Sequence, residues 1–124
     1  MTASMMTVKA LSPALGAEVS GLDLRTALDA ETIKQLNHCL LEHIVVVIRA
    51  QQFTPAEYVN AMKIFGKPAR QNHVEQLLDG NPEIWVIDSR KGQIAHDGQR
   101  VIYGANAWHT DHANMQLPPK ITSL

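Results

Sequence analysis

A chain of 124 residues holds one domain at most, and its 45% hydrophobic and 19% charged content is that of a globular protein with a modest core, not of a disordered chain. Lys and Arg number 11 against 12 Asp and Glu, a net charge of −1 with no run of one sign, which argues against nucleic acid as a partner. The lone cysteine, Cys39, excludes an internal disulfide framework; with no signal-peptide-like start and no apolar run longer than residues 44–48, the chain reads as cytoplasmic, with no membrane partner.

Residues 7–24 include Leu15-Gly16-Ala17-Glu18-Val19-Ser20-Gly21-Leu22-Asp23-Leu24, in which apolar positions alternate between two glycines. This pattern predicts a short strand or ribbon with a turn. A helix is expected over about residues 30–42, capped by Asp29, with Ile33, Leu36, Leu40 and Leu41 on one face. Cys39 on that helix reads as a small buried hydrophobe, and the flanking His38 and His43 as solvent-facing or hydrogen-bonded side chains. Ile44-Val45-Val46-Val47-Ile48 is β-branched throughout and predicts a strand buried on both faces, with Arg49 as its solvated end.

Thr54 at the N-cap, Pro55 at N1 and Glu57 at N3 spell a capping box for a second helix, and Phe53 can pack on Tyr58 as a hydrophobic staple. Tyr58, Met62 and Phe65 fall on one face and read as core; Gly66 ends the helix and Pro68 prevents its resumption. Residues 67–81 turn polar, with a short helical turn up to Leu78. Asn81-Pro82 then precedes a strand over residues 83–88, with Trp85 and Ile87 on one face and Ile84 and Val86 on the other. Residues 89–106 carry the turn dipeptides Lys91-Gly92 and Asp97-Gly98, and a loop of that length is expected to be functional. After Pro118-Pro119, residues 120–124 read as the opening of another strand.

That loop leads into Trp108-His109-Thr110-Asp111. On an extended backbone, side chains two residues apart project from the same side, so His109 and Asp111 can meet on one metal ion. Imidazole nitrogen with carboxylate oxygen suits iron(II), manganese or zinc, and makes two-thirds of the 2-His-1-carboxylate triad of non-haem iron oxygenases. Two other readings compete. One is a hydrogen-bonded pair at a strand end, as in a non-catalytic binding or structural protein. The other is the H-x-H-x-D-H run of metallo-β-lactamase-like zinc hydrolases, which His112 partly completes. Against the hydrolase, Ala107 stands where the first His belongs, Tyr103-Gly104-Ala105-Asn106 is not an apolar strand, and Leu117-Pro118-Pro119 cannot start the helix that should follow. On that reading's failure His112 becomes a polar neighbour, exposed on the side opposite His109 and Asp111.

Taken together, the Leu15–Leu24 segment, His43 through Arg49 followed by Thr54-Pro55, Phe65-Gly66, and Trp108-His109-Thr110-Asp111 with Pro118-Pro119 downstream resemble the N-terminal part of the taurine/2,4-D dioxygenase family over about residues 8–124. The resemblance implies an α+β fold built on a double-stranded β-helix (jelly roll) core with flanking helices. It makes His109 and Asp111 the first two ligands of Fe(II). The implied reaction uses 2-oxoglutarate as co-substrate and dioxygen, releases succinate and hydroxylates a small organic acid; a homo-oligomer is compatible with it.

The family's distal His and its 2-oxoglutarate-binding Arg have no counterpart in this sequence, so residues 1–124 read as the N-terminal portion of a single dioxygenase domain, inactive by itself. His38, His43, His73 and His96 do not sit in the distal motif. Taurine-specific members carry a His and a Tyr five and eight residues after the Phe-Gly glycine, where this chain has Gln71 and Val74, and an Asn where it has Ala105. Asn106, one position on, is the candidate substrate contact, with loop stabilisation as its other reading. An aryloxyalkanoate, another organic acid and a sulfate ester all remain open as substrates.

Overall fold

Alternation along Ala17-Glu18-Val19-Ser20 decides how the first part of the chain folds: Ala17 and Val19 are fully buried, while Glu18 and Ser20 turn away from the core. The computed structural model describes residues 6–71, 76–88, 98 and 108–124, and it divides into two units, Met1–Lys67 and Pro68–Leu124. In the first unit β1 (Thr7–Ala10) pairs antiparallel with β2 (Ala17–Ser20), from Thr7 opposite Ser20 to Ala10 opposite Ala17. The Ser12 hydroxyl organises the connection, donating to the Leu15 carbonyl at 2.7 Å and accepting from the Leu15 amide at 3.0 Å. Gly16 enters β2 at φ +91, a conformation that disfavours any side chain.

Helix α1 (Ala30–His43) starts as predicted, with the Asp29 carboxylate accepting from the Thr32 amide at 2.8 Å and the Thr32 hydroxyl at 3.0 Å. Its buried face is Thr32, Leu36 and Cys39, with Ile33 and Leu40 half-buried. Leu41, expected on that face, is 65% exposed. Five residues from Leu36 is about 140° around the axis, which turns Leu41 away from the sheet. Cys39 is buried as expected, and desolvation raises its thiol pKa above the ordinary value, the condition of an unreactive cysteine.

From α1 the chain passes directly into β3 (Val46–Ile48), which lies parallel to β2 and gives the sheet order β1-β2-β3. The strand is three residues long and half-buried, not the five residues buried on both faces that the sequence predicts. Ile44 is consumed as the C-cap of α1, Ile44 and Val45 are exposed, and only Val46 and Ile48 pack on the core. Arg49 is more than a strand end: its Nε lies 2.9 Å from Glu18 Oε2 on the neighbouring strand. Gln51 locks the next segment, donating through Nε2 to the carbonyls of Leu22 and Arg49, both at 2.8 Å, and accepting from the Leu24 amide at 3.0 Å.

Helix α2 (Pro55–Met62) has the full capping box, with Glu57 Oε2 accepting from the Thr54 amide and hydroxyl, each at 2.8 Å. The staple is present too, the Phe53 and Tyr58 rings lying 6.0 Å apart. Ala61 is the residue fully seated on the core; Met62, Ile64 and Phe65 pack beside it, and Tyr58 is half-buried outside that cluster. The helix stops at Met62, short of Gly66, because residues 63–66 wind more tightly, each amide reaching back three residues. The Asn37 amide joins α1 to this turn, donating to the carbonyls of Ile33 at 2.9 Å and Ile64 at 3.1 Å.

The second unit contains the hairpin of β4 (Leu77–Leu78) and β5 (Asn81–Trp85), turning at Asp79-Gly80 with Gly80 at φ +77. Gln76 lies in a tight helical turn, as expected, but Leu77 and Leu78, expected to continue it, form a strand. β5 begins two residues earlier than expected and ends at Trp85, leaving Val86 and Ile87 exposed. Pro82 is tolerated because a two-stranded ribbon leaves one edge unpaired, and its carbonyl accepts from the Gln71 amide at 3.0 Å. Trp85 Nε1 donates to the Gln76 side-chain oxygen. Residues 111–114 form a turn, and residues 121–124 run without the expected strand. Most of the predicted loop over 89–106, with His73 and His96, lies outside the described residues.

Two small sheets and two helices give an α+β arrangement, and no jelly roll closes among the described residues. No helix among them is long and apolar enough to cross a membrane.

Candidate metal centre

The strand expected to carry His109 and Asp111 is not formed: residues 108–110 have no regular structure and Asp111 begins a turn. His109 Nε2 and Asp111 Oδ1 are 3.2 Å apart, with the two side chains 49% and 41% exposed. Asp111 opens the turn over residues 111–114, in which the Met115 amide donates to the His112 carbonyl at 2.9 Å. The second carboxylate oxygen, Oδ2, accepts from the Thr122 hydroxyl at 2.8 Å. Each oxygen of Asp111 thus has a distinct neighbour.

His112 differs from its expected exposed position. It is half-buried at φ +51, and its Nε2 lies 3.2 Å from Gln71 Oε1. Gln71 is itself held by its backbone bond to Pro82, so the pair ties the turn to the segment beside β5. Asn106, the candidate substrate contact, lies outside the described residues. Neither Gln71 nor Thr122 stood out in the sequence. The one available signal was a hydroxyl residue shortly after Pro118-Pro119, which names no partner.

The donor set fits a divalent cation. Two ligand atoms about 2.1 Å from a metal and at right angles lie about 3.0 Å apart, close to the separation of the two donor atoms here. The same atoms also form a hydrogen bond without metal. Among the described residues no group of three or more His, Cys, Asp or Glu side chains is placed to hold a metal ion, and His112 faces Gln71 instead. The three-donor cluster that the hydrolase reading needs is not assembled among them.

The candidate ligand pair His109 and Asp111, next to Trp108, comes after a mixed sheet whose parallel strands are joined by a capped crossover helix. The chain belongs to the Taurine catabolism dioxygenase TauD, TfdA family, whose model matches residues 7–124. It is 33% identical over 120 residues to an alkylsulfatase of Acinetobacter baylyi (strain ATCC 33305 / BD413 / ADP1), covering 96% of this chain and 34% of that protein. It is 29% identical over 111 residues to an alpha-ketoglutarate-dependent sulfate ester dioxygenase of Pseudomonas putida, covering 89% of this chain and 33% of that protein. A solved taurine dioxygenase from Burkholderia xenovorans superposes with a TM-score of 0.61 at 36% identity, over 64% of this chain and 29% of the other. The chain spans about a third of the length of these relatives.

Proposed function

We propose that this chain forms the N-terminal part of a cytoplasmic iron(II)- and 2-oxoglutarate-dependent dioxygenase that oxidises a small organic anion. In the whole protein the β1-β2-β3 sheet and its helices would flank a jelly-roll core. The observation that carries the reading is the convergence of His109 Nε2 and Asp111 Oδ1 within a family-matched segment. A sulfate ester is the favoured substrate class, because two relatives bear names of enzymes acting on such compounds.

When bound, iron(II) supplies a redox centre with open positions for 2-oxoglutarate and dioxygen. The chain's own part is to hold it. His109 offers a neutral imidazole nitrogen, and Asp111 offers a single negative charge that offsets part of the cation's. Both sit on the surface of their unit, so the donors are reached without unfolding.

The test is succinate formation from 2-oxoglutarate by the protein that carries this chain, with iron(II), dioxygen and a panel of short alkyl sulfates, alkyl sulfonates and aryloxyacetates. Substrate-dependent succinate is expected, greatest with an alkyl sulfate and abolished by His109→Ala or Asp111→Ala. Undiminished turnover in either variant would overturn the ligand assignment. Iron-independent hydrolysis of the same esters would overturn the oxygenase reading.

A further inference from the structure

We infer that Thr122 is a positioning residue for the candidate metal centre: its hydroxyl holds Asp111 Oδ2 at 2.8 Å and leaves Oδ1 as the carboxylate oxygen that faces His109 Nε2. The inference rests on the metal reading and goes beyond it.

A carboxylate can ligate a cation through one oxygen or two. Which mode it adopts depends on what else its oxygens bind. A threonine hydroxyl has one proton to donate, and here it goes to Oδ2. A donor on that oxygen competes with a metal for its lone pairs and fixes the plane of the carboxylate. Oδ1 is then presented alone, in the position that places it beside the imidazole nitrogen. The contact is made across eleven positions of sequence: residues 111–114 turn the chain, and the segment after Pro118-Pro119 returns it to the carboxylate.

The position is also exposed, which separates a positioning role from a structural one. A hydrogen bond between exposed side chains exchanges with water and adds little to folding. Partners of this kind that orient a metal ligand, by contrast, typically change metal affinity about 10- to 100-fold when removed. Loss of the hydroxyl should therefore register in metal binding and not in melting.

The experiment is a Mn(II) titration followed by electron paramagnetic resonance, on the protein that carries this chain and on its Thr122→Val, Thr122→Ala, Thr122→Ser, His109→Ala and Asp111→Ala variants. The two ligand variants should lose binding. Thr122→Val and Thr122→Ala should each weaken it on the order of 10-fold, and Thr122→Ser should restore it, all with unchanged thermal melting. Wild-type affinity in Thr122→Val and Thr122→Ala, with binding lost in Asp111→Ala, would overturn the role of Thr122 and leave the metal centre standing. Wild-type affinity in Asp111→Ala would overturn the metal reading itself, and the inference with it.

Discussion

The amide of Val45 donates to the carbonyl oxygen of His43 at 2.7 Å, closing a three-residue turn about Ile44, whose φ is +67. A β-branched residue at positive φ is held there against its own sterics, and such positions store about 1–3 kcal/mol. The turn is what lets α1 pass into β3 without a loop. The His43 carbonyl also accepts from the Gly16 amide at 2.8 Å, so the same point fastens the start of β2.

Ile44→Gly should therefore stabilise the chain. Relief of the strain, less the roughly 0.5–1 kcal/mol of extra chain entropy that glycine loses on folding, leaves a gain of about 1 kcal/mol. The lost side chain matters little, because Ile44 is 67% exposed. The gain is read as a higher urea midpoint at unchanged slope. Ile44→Val keeps the β-branch and should change nothing; a lower midpoint for Ile44→Gly would show that strain is not the dominant effect at this turn.

The two helices were legible in the sequence because their signals are local. Asp29 and Thr54 each cap an amide three residues on, and both contacts are implied by residue type and spacing alone. The five β-branched residues over 44–48 gave the strand but not its length. Nothing in their pattern shows that the first must serve as a helix cap. Asp79-Gly80 is a turn dipeptide by composition, yet the hairpin around it is short enough that periodicity does not reveal it. At the candidate centre the i and i+2 spacing pointed to the approach of His109 and Asp111, 3.2 Å apart, although the strand expected to carry them is a segment without regular structure that runs into a turn. Their supports come from afar: Thr122 lies eleven positions from Asp111, and Gln71 lies 41 from His112. Contacts at those distances depend on how the chain returns, which no local pattern encodes.

The face that α1 presents gives a paired test of packing. Leu36 is fully buried, whereas Leu41 is 65% exposed. Leu36→Ala should cost about 2–5 kcal/mol through lost transfer energy and the cavity left beside β2. Leu41→Ala should stay within about 0.5 kcal/mol of the parent. Both values follow from denaturant unfolding; comparable losses at the two positions would mean that the helix is rotated relative to this arrangement.

Acid should weaken the first unit. The side-chain hydrogen bond from Arg25 lowers the Asp23 pKa to about 2, while the backbone amides of Thr32 and Thr54 hold Asp29 and Glu57 below their ordinary values of 3.8 and 4.5. A carboxylate whose pKa is lower folded than unfolded stabilises the fold fully above the unfolded pKa and loses that contribution as pH falls through the folded one. Stability should accordingly decline below about pH 5 and keep falling toward pH 2. Asp29→Asn and Glu57→Gln remove a titrating cap, so each should be less stable at pH 7 and show a shallower decline in acid. The check is the urea midpoint at a series of pH values; an undiminished slope in both variants would show that these caps do not set the acid response.

Gln71 offers a last discrimination, between the oxygenase and hydrolase readings of Asp111-His112. Its side-chain oxygen lies 3.2 Å from His112 Nε2, so the ring is engaged by an amide and not turned toward a cation. Removing the amide with Gln71→Ala leaves a half-buried imidazole without that contact, at about 1 kcal/mol in stability. His112→Ala should cost a similar amount and lower Mn(II) affinity far less than Asp111→Ala does. A hydrolase-like centre predicts comparable losses in the two variants, since there His112 would be a ligand alongside Asp111 and its removal would abolish binding. Parallel Mn(II) titrations and urea unfolding of the three variants decide the matter, because a residue that only buttresses the turn shifts folding before it shifts metal binding, and a ligand does the opposite.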